Sequence, residues 1–125
     1  MTIHAIAWDV DGTLVDSEPL HLRSLQHVCA IYDVEIADLP DAAFIGVHIL
    51  DVWTALAPRF GGRVTRADWL DLLNAHFVTN AATVATMPGA FEVVAHFAAT
   101  GVRQGAVSNS NRAVVDANLR AAFRP

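Results

Sequence analysis

Two short apolar runs and five longer stretches of helical periodicity organise the chain. The first run, Ile3, His4, Ala5, Ile6, Ala7 and Trp8, has β-branched and aromatic members and ends abruptly at Asp9 and Gly12. It predicts a buried strand that delivers Asp9 at its C-terminal end. Asp16 and Ser17 are helix-start residues, Pro19 is tolerated in a first turn, and Leu22, Leu25, Cys29 and Tyr32 follow at helical spacing, which predicts a helix over residues 17–32. Asp33 to Pro40 is polar and irregular. Apolar residues then recur helically through Ile49, Leu50, Trp53 and Leu56 until Gly61 and Gly62 break the pattern. Thr65 is a helix cap for Trp69, Leu72, Leu73 and Phe77. After Met87, Pro88 and Gly89, the residues Phe91, Val94, Ala95 and Ala98 predict a helix stopping at Gly101. The second run, Gln104 to Val107, ends in Ser108, Asn109, Ser110 and Asn111, and a last helix over 111–122 precedes the stop at Pro125.

The order is strand, helices, helix, strand, helix, which is the pattern of an α/β protein with a Rossmann-like parallel core. In open α/β sheets ligands bind outside the carboxyl ends of the strands, so the polar clusters after both strands are expected to face one crevice. Residues 1–16 and 84–125 form the partial α/β core in this scheme, and 17–83 an inserted, all-helical lid.

Composition narrows the function classes. Of the 125 residues 54% are apolar and 17% charged, and the formal net charge is -5. That balance repels phosphate backbones and argues against nucleic acid as a partner. No stretch approaches the roughly 18 uninterrupted apolar residues of a membrane span. Asp9 and Asp11 interrupt the first apolar run and no basic region precedes it, so an export signal is not expected either. Cytoplasmic residence follows as the expectation, and a single cysteine, Cys29, agrees with a reducing compartment. All eight basic residues are arginines.

The first polar cluster reads Asp9, Val10, Asp11, Gly12, Thr13, Leu14, Val15, Asp16, Ser17. Residues i and i+2 of a strand point the same way, so both carboxylates reach one pocket if the strand persists to Asp11. Two carboxylates in one pocket repel unless a cation joins them, which suggests Mg²⁺. A carboxylate can also attack a phosphoryl group, while a neighbouring acid protonates the leaving oxygen and later activates water. An ordinary Asp-x-Asp-Gly turn is the plain alternative. A calcium loop is not, because it needs glycine at its sixth position and here glycine falls at the fourth. The second cluster offers a hydroxyl, Ser108, and free amides at a helix N-terminus, an arrangement suited to phosphate. Alone it is equally a helix cap. Paired with the first cluster it points to phosphate.

Together these segments resemble the haloacid dehalogenase superfamily, in its capped phosphatase and phosphomutase branch. An apolar strand followed by Asp-x-Asp-Gly-Thr-Leu-x-Asp-Ser stands intact up to Ser17, and Ala106 to Ser110 resembles the second motif. Glu18, Pro19, Leu20 and His21, and later Pro88 and Gly89, also sit where this branch has such residues. The resemblance implies Asp9 as nucleophile and Mg²⁺ ligand, and Asp11 as general acid/base that binds metal through its backbone carbonyl. Thr13 would support the second acid. Ser108 and the Asn109 amide would hold the phosphoryl group of a small phosphorylated metabolite. Haloacid dehalogenases proper lack the second aspartate, so Asp11 favours phosphoryl transfer. Phe44 to Asp51 looks like the lid's specificity loop, with Gly46 and His48 as substrate contacts beside Glu18 and His21. Apolar Ile49 and Leu50 replace a basic residue often found there, which weighs against mutase activity.

Two family motifs have no counterpart. The family's lysine is missing because the chain has no lysine, and the only acid after Ser108 is Asp116, within a predicted helix. Arg112 is close in sequence but is no equivalent of lysine. These gaps lead to the expectation of a weakly active or inactive piece of a protein of roughly 200 or more residues, the size of one core plus lid. A silent remnant that binds metal, anion or a partner is the alternative from a different class. His4, His27, His76 and His96 lack metal-ligand spacing, Trp53 and Trp69 fall at helical core positions, and Cys29 lies on an apolar face without a basic neighbour.

Overall fold

The computed structural model describes residues 2–123. The chain divides into two compact units, Met1–Glu18 with Asn80–Pro125, and Pro19–Thr79.

In the first unit β1 (Ala5–Asp9) pairs in parallel with β4 (Arg103–Val107), from Ala5 opposite Arg103 to Asp9 opposite Val107. Both strands therefore end at the same edge, with α4 (Ala90–Ala99) before β4 and α5 (Arg112–Ala122) after it. Val10, Leu14, Val15 and Ala90 form a buried cluster, against which Trp8, Val94, Val115 and Leu119 pack. The Trp8 indole donates to Gln104 Oε1 (2.8 Å), and Gln104 Nε2 donates to the Val94 carbonyl (3.0 Å), tying β1, β4 and α4 together. The expectation of a buried β1 is not met. Ile6 and Trp8 are half-buried, whereas Ala5, Ala7 and Asp9 are exposed. Side chains alternate across a strand, and among the described residues nothing covers the side that bears Ala5, Ala7, Gly105 and Val107, the last 63% exposed.

A second ribbon escapes sequence periodicity because each strand has two residues. It is antiparallel, β2 (Val15–Asp16) with β3 (Ala85–Thr86). The turn that feeds it is set by the Val10 carbonyl, which accepts from the amides of Thr13 (3.2 Å), Leu14 (2.9 Å) and Val15 (3.2 Å). Gly12 takes a left-handed φ of 75° there, open to glycine without steric cost.

The second unit holds most of α1 (Glu18–Ile31), α2 (Ile49–Phe60) and most of α3 (Arg66–Asn80). Thr65 Oγ1 accepts from the Asp68 amide (3.1 Å), the cap the sequence predicts. Leu25, Val28, Val52, Leu56, Phe60 and Trp69 build the core. Burial of each such side chain contributes about 1.5–3 kcal/mol. The segment expected to be polar and irregular also adds to this core through buried Val34 and partly buried Ile36 and Leu39. Cys29 is buried too. Desolvation pushes its thiol up to about 11, against a smaller opposite pull from Arg59, the basic neighbour that sequence reading missed. The Trp69 indole N–H is buried without a hydrogen-bond partner. No helix among the described residues is long and apolar enough to cross a membrane.

Candidate active site

Asp9 is the last residue of β1 and is exposed. Its Oδ1 accepts from the Val10 amide (3.0 Å) and its Oδ2 from the Thr13 hydroxyl (3.3 Å). The strand stops there. Asp11 therefore reaches the site through the turn that the Val10 carbonyl organises, and not by the strand alternation that the sequence suggests.

The Asp11 carboxylate is the junction between the two polar clusters. Oδ1 accepts from Ser17 Oγ (2.5 Å) and Asn118 Nδ2 (3.4 Å); Oδ2 accepts from Ser108 Oγ (3.3 Å) and Ser110 Oγ (3.1 Å). The Ser108 hydroxyl also accepts from the Ser110 amide (3.0 Å), which curls the end of β4 toward Asp11. α5 then starts at Asn111, whose side chain accepts from the Ala113 amide (2.9 Å). Capping is thus done by Asn111, and Ser108 is left to Asp11. Four side chains from the two motifs and α5 converge on this one carboxyl group, so the network ties the ends of both strands together.

Of the residues the sequence singles out, Ser108 bonds Asp11, Thr13 donates to Asp9 where it was expected to support the second acid, and Asn109 is exposed in the same turn as Ser108. Glu18 opens α1 and is half-buried. In the helical unit the His21 ring stacks on Phe77 (4.4 Å between centroids), and His48 caps α2 by accepting from the Leu50 amide (3.2 Å). Gly46 adopts a left-handed φ of 76°. Ser17, Ser110 and Asn118 were missed as Asp11 partners. The first two sit inside the motifs and were legible as hydroxyls. Asn118 occupies an apolar helical position and gives no local signal. Arg112 does not turn inward: it pairs with Asp116 (2.9 Å), its side chain 88% exposed.

Among the described residues no three His, Cys, Asp or Glu side chains gather into a metal-binding group. Mg²⁺ does not require one, because it keeps several waters and binds through one or two carboxylates plus phosphate oxygens. Exposed Asp9 offers a carboxylate of that kind and Asp11 the backbone carbonyl that the family resemblance implies, so the donor chemistry fits. His27 stacks on His76 (4.3 Å between centroids), and Ser24 bonds to His76 Nδ1 (2.8 Å). Burial first, then His27 and Arg23, lower the proton affinity of His76.

A parallel pair of strands ending in an Asp-x-Asp turn and a Ser-rich turn, with a helical insertion between them, defines the class of protein. Over residues 6–122 the sequence matches the model of the haloacid dehalogenase-like hydrolases, and the chain belongs to that family. Among solved structures it is similar to a variant of CbbY from Rhodobacter sphaeroides in complex with xylulose-(1,5)bisphosphate, at 22% identity and TM-score 0.77, over 96% of this chain and 57% of that one. It is also similar to a hydrolase of the same family from Deinococcus radiodurans R1 with bound phosphate and sodium, at 30% identity and TM-score 0.59, over 96% of this chain and 52% of that one. A hydrolase from Pseudomonas syringae aligns at 15% identity and TM-score 0.74, over 99% of this chain and 57% of that one. The chain thus spans a little over half the length of these structures. No curated protein matches it.

Proposed function

We propose that this chain carries the nucleophile and acid/base half of a Mg²⁺-dependent phosphatase acting on a small phosphorylated metabolite in the cytoplasm. The observation that carries the proposal is the Asp11 carboxylate, held by Ser17 from the first motif and by Ser108 and Ser110 from the second. In this scheme Asp9 attacks phosphorus, the ester P–O bond breaks, and Asp11 gives its proton to the leaving oxygen. Asp11 then takes a proton from water as that water attacks phosphorus, breaking the bond to Asp9 and releasing inorganic phosphate. Thr13 holds the Asp9 oxygen, and Ser108 with the Asn109 amide holds the phosphoryl oxygens. The Asp9 carboxylate and the Asp11 backbone carbonyl would hold Mg²⁺, which would supply charge neutralisation at the phosphoryl oxygens. Glu18, His21, Gly46 and His48 enter as substrate-selecting residues. Bound phosphate in the Deinococcus relative and the bisphosphate on CbbY support a phosphorylated ligand.

A silent, ligand-binding role is the second reading, favoured by the absence of lysine and by the pairing of Arg112 with Asp116. Phosphate release from sugar phosphates, phosphoglycolate and an aryl phosphate separates the two. With a cationic clamp missing, the 125-residue chain is expected to fall at least about 100-fold below an ordinary rate of about 10 per second. The residual Mg²⁺-dependent release should vanish in Asp9→Asn. Release that is unchanged in Asp9→Asn rules out the assigned nucleophile, and no release at all favours the silent role.

A further inference from the structure

Asn118 stands where the fold calls for an apolar side chain. On α5 it shares the buried stripe of Val114 and Ala117, spaced three and four residues apart, and it is 0% exposed. Its Oδ1 has no hydrogen-bond partner, while Nδ2 donates to Asp11 Oδ1 at 3.4 Å. A buried acceptor left unsatisfied disfavours the folded state, and an apolar residue of the same shape removes that penalty. Trp69 in the helical unit also buries an unpartnered polar atom, but there the large apolar ring comes with it and offsets the cost. Asn118 brings no such compensation. The other buried polar residues, Ser17 and Ser24, are satisfied by Asp11 and His76.

What Asn118 does supply is a donor to Asp11 from the interior of a helix, where a side chain is held more firmly than on a turn. Ser17, Ser108 and Ser110 all reach Asp11 from turns or element ends. Their hydroxyls rotate, whereas the amide stands at a fully buried position of the helix. We propose that Asn118 is a positioning residue: it holds Oδ1 of Asp11 against α5, so that the carboxylate keeps one orientation between the two motifs. This rests on the phosphatase reading of the site and names a residue that stabilises its geometry at the expense of the fold.

The test compares the 125-residue chain with its Asn118→Leu and Asp9→Asn variants. Mn²⁺, standing in for Mg²⁺, is titrated while paramagnetic broadening of the Gly12 and Thr13 amide signals is followed, and melting temperatures are measured in parallel. Asn118→Leu is expected to melt at the same temperature as the wild type or higher. Because Asn118 holds Asp11, whose backbone carbonyl is the expected metal contact, the Mn²⁺ affinity of the variant should fall about 10-fold to 100-fold, the usual effect of removing a group that orients a metal ligand. Two results overturn the proposal alone: Asn118→Leu binds Mn²⁺ as the wild type does, or it melts lower or fails to fold, which makes the amide a structural element. If the wild type shows no broadening at these amides, or Asp9→Asn retains all of it, the phosphatase reading itself fails and the role of Asn118 falls with it.

Discussion

In the helical unit Trp69, Phe60, Leu56 and Val28 are almost completely withdrawn from solvent; in the α/β unit Ala5, Ala7 and Val107 of the two strands remain open to it. The helical unit has an apolar core sufficient to explain its own packing. The α/β unit is organised as much by a polar network, in which one carboxylate joins a turn, a strand end and a helix. Stability and chemistry are therefore separable by mutation. Side chains of the helical core should control unfolding and leave the site alone, and the Asp11 partners should do the reverse.

Phe60→Ala should produce the largest effect. Removing a fully buried aromatic ring from a packed core costs about 3–5 kcal/mol, and urea unfolding followed through the tryptophans would read it. A loss below about 1 kcal/mol would show that the helical core is not the stabilising centre. Asp11→Asn comes next, because it places an amide N–H₂ among the donors Ser17, Ser108, Ser110 and Asn118. Leaving buried donors without an acceptor costs about 1–3 kcal/mol, read as faster hydrogen exchange of the Thr13, Leu14 and Val15 amides that bond the Val10 carbonyl. Unchanged exchange would break the link between Asp11 and this turn.

How far these elements were legible in the sequence follows the same division. The helices and both long strands follow from periodicity and capping residues, because Leu25, Leu56, Trp69 and Thr65 act through local spacing. Asp9, Asp11, Thr13 and Ser108 were legible because the motifs are contiguous. The exposed side of β1 was not, since an apolar run such as Ile3 to Trp8 does not state what covers it. Asn118 was hidden for a related reason: its partner Asp11 lies 107 residues away in sequence. The His27 and His76 stack likewise forms between separate helices, α1 and α3.

That stack yields a smaller, pH-dependent effect. The folded chain holds His76 below its ordinary value of 6.5, through burial first and then His27 and Arg23. Near that pH the unfolded chain binds more protons, so stability is fully present above about 6.5 and is lost as pH falls through the folded value. The melting temperature of the wild type should decline between pH 7.5 and 5.5, and His76→Gln should flatten the decline. An identical slope in both proteins would remove His76 as its cause. Smallest of all is Val107→Ala, expected to change stability by no more than about 0.5 kcal/mol as for other exposed positions. A larger loss would mean that this side of the sheet is covered in solution, which the same variant's sedimentation behaviour would reveal.

The central claim is that Asp9, at the shared edge of the two strands, is the nucleophile. Beryllium fluoride mimics a phosphoryl group by binding an aspartate oxygen, so it tests that claim without requiring turnover. Fluorine NMR of the chain with Mg²⁺ and beryllium fluoride should show a protein-bound signal that persists in Asp16→Asn and disappears in Asp9→Asn. A bound signal that survives Asp9→Asn, or none in the wild type, would contradict the account.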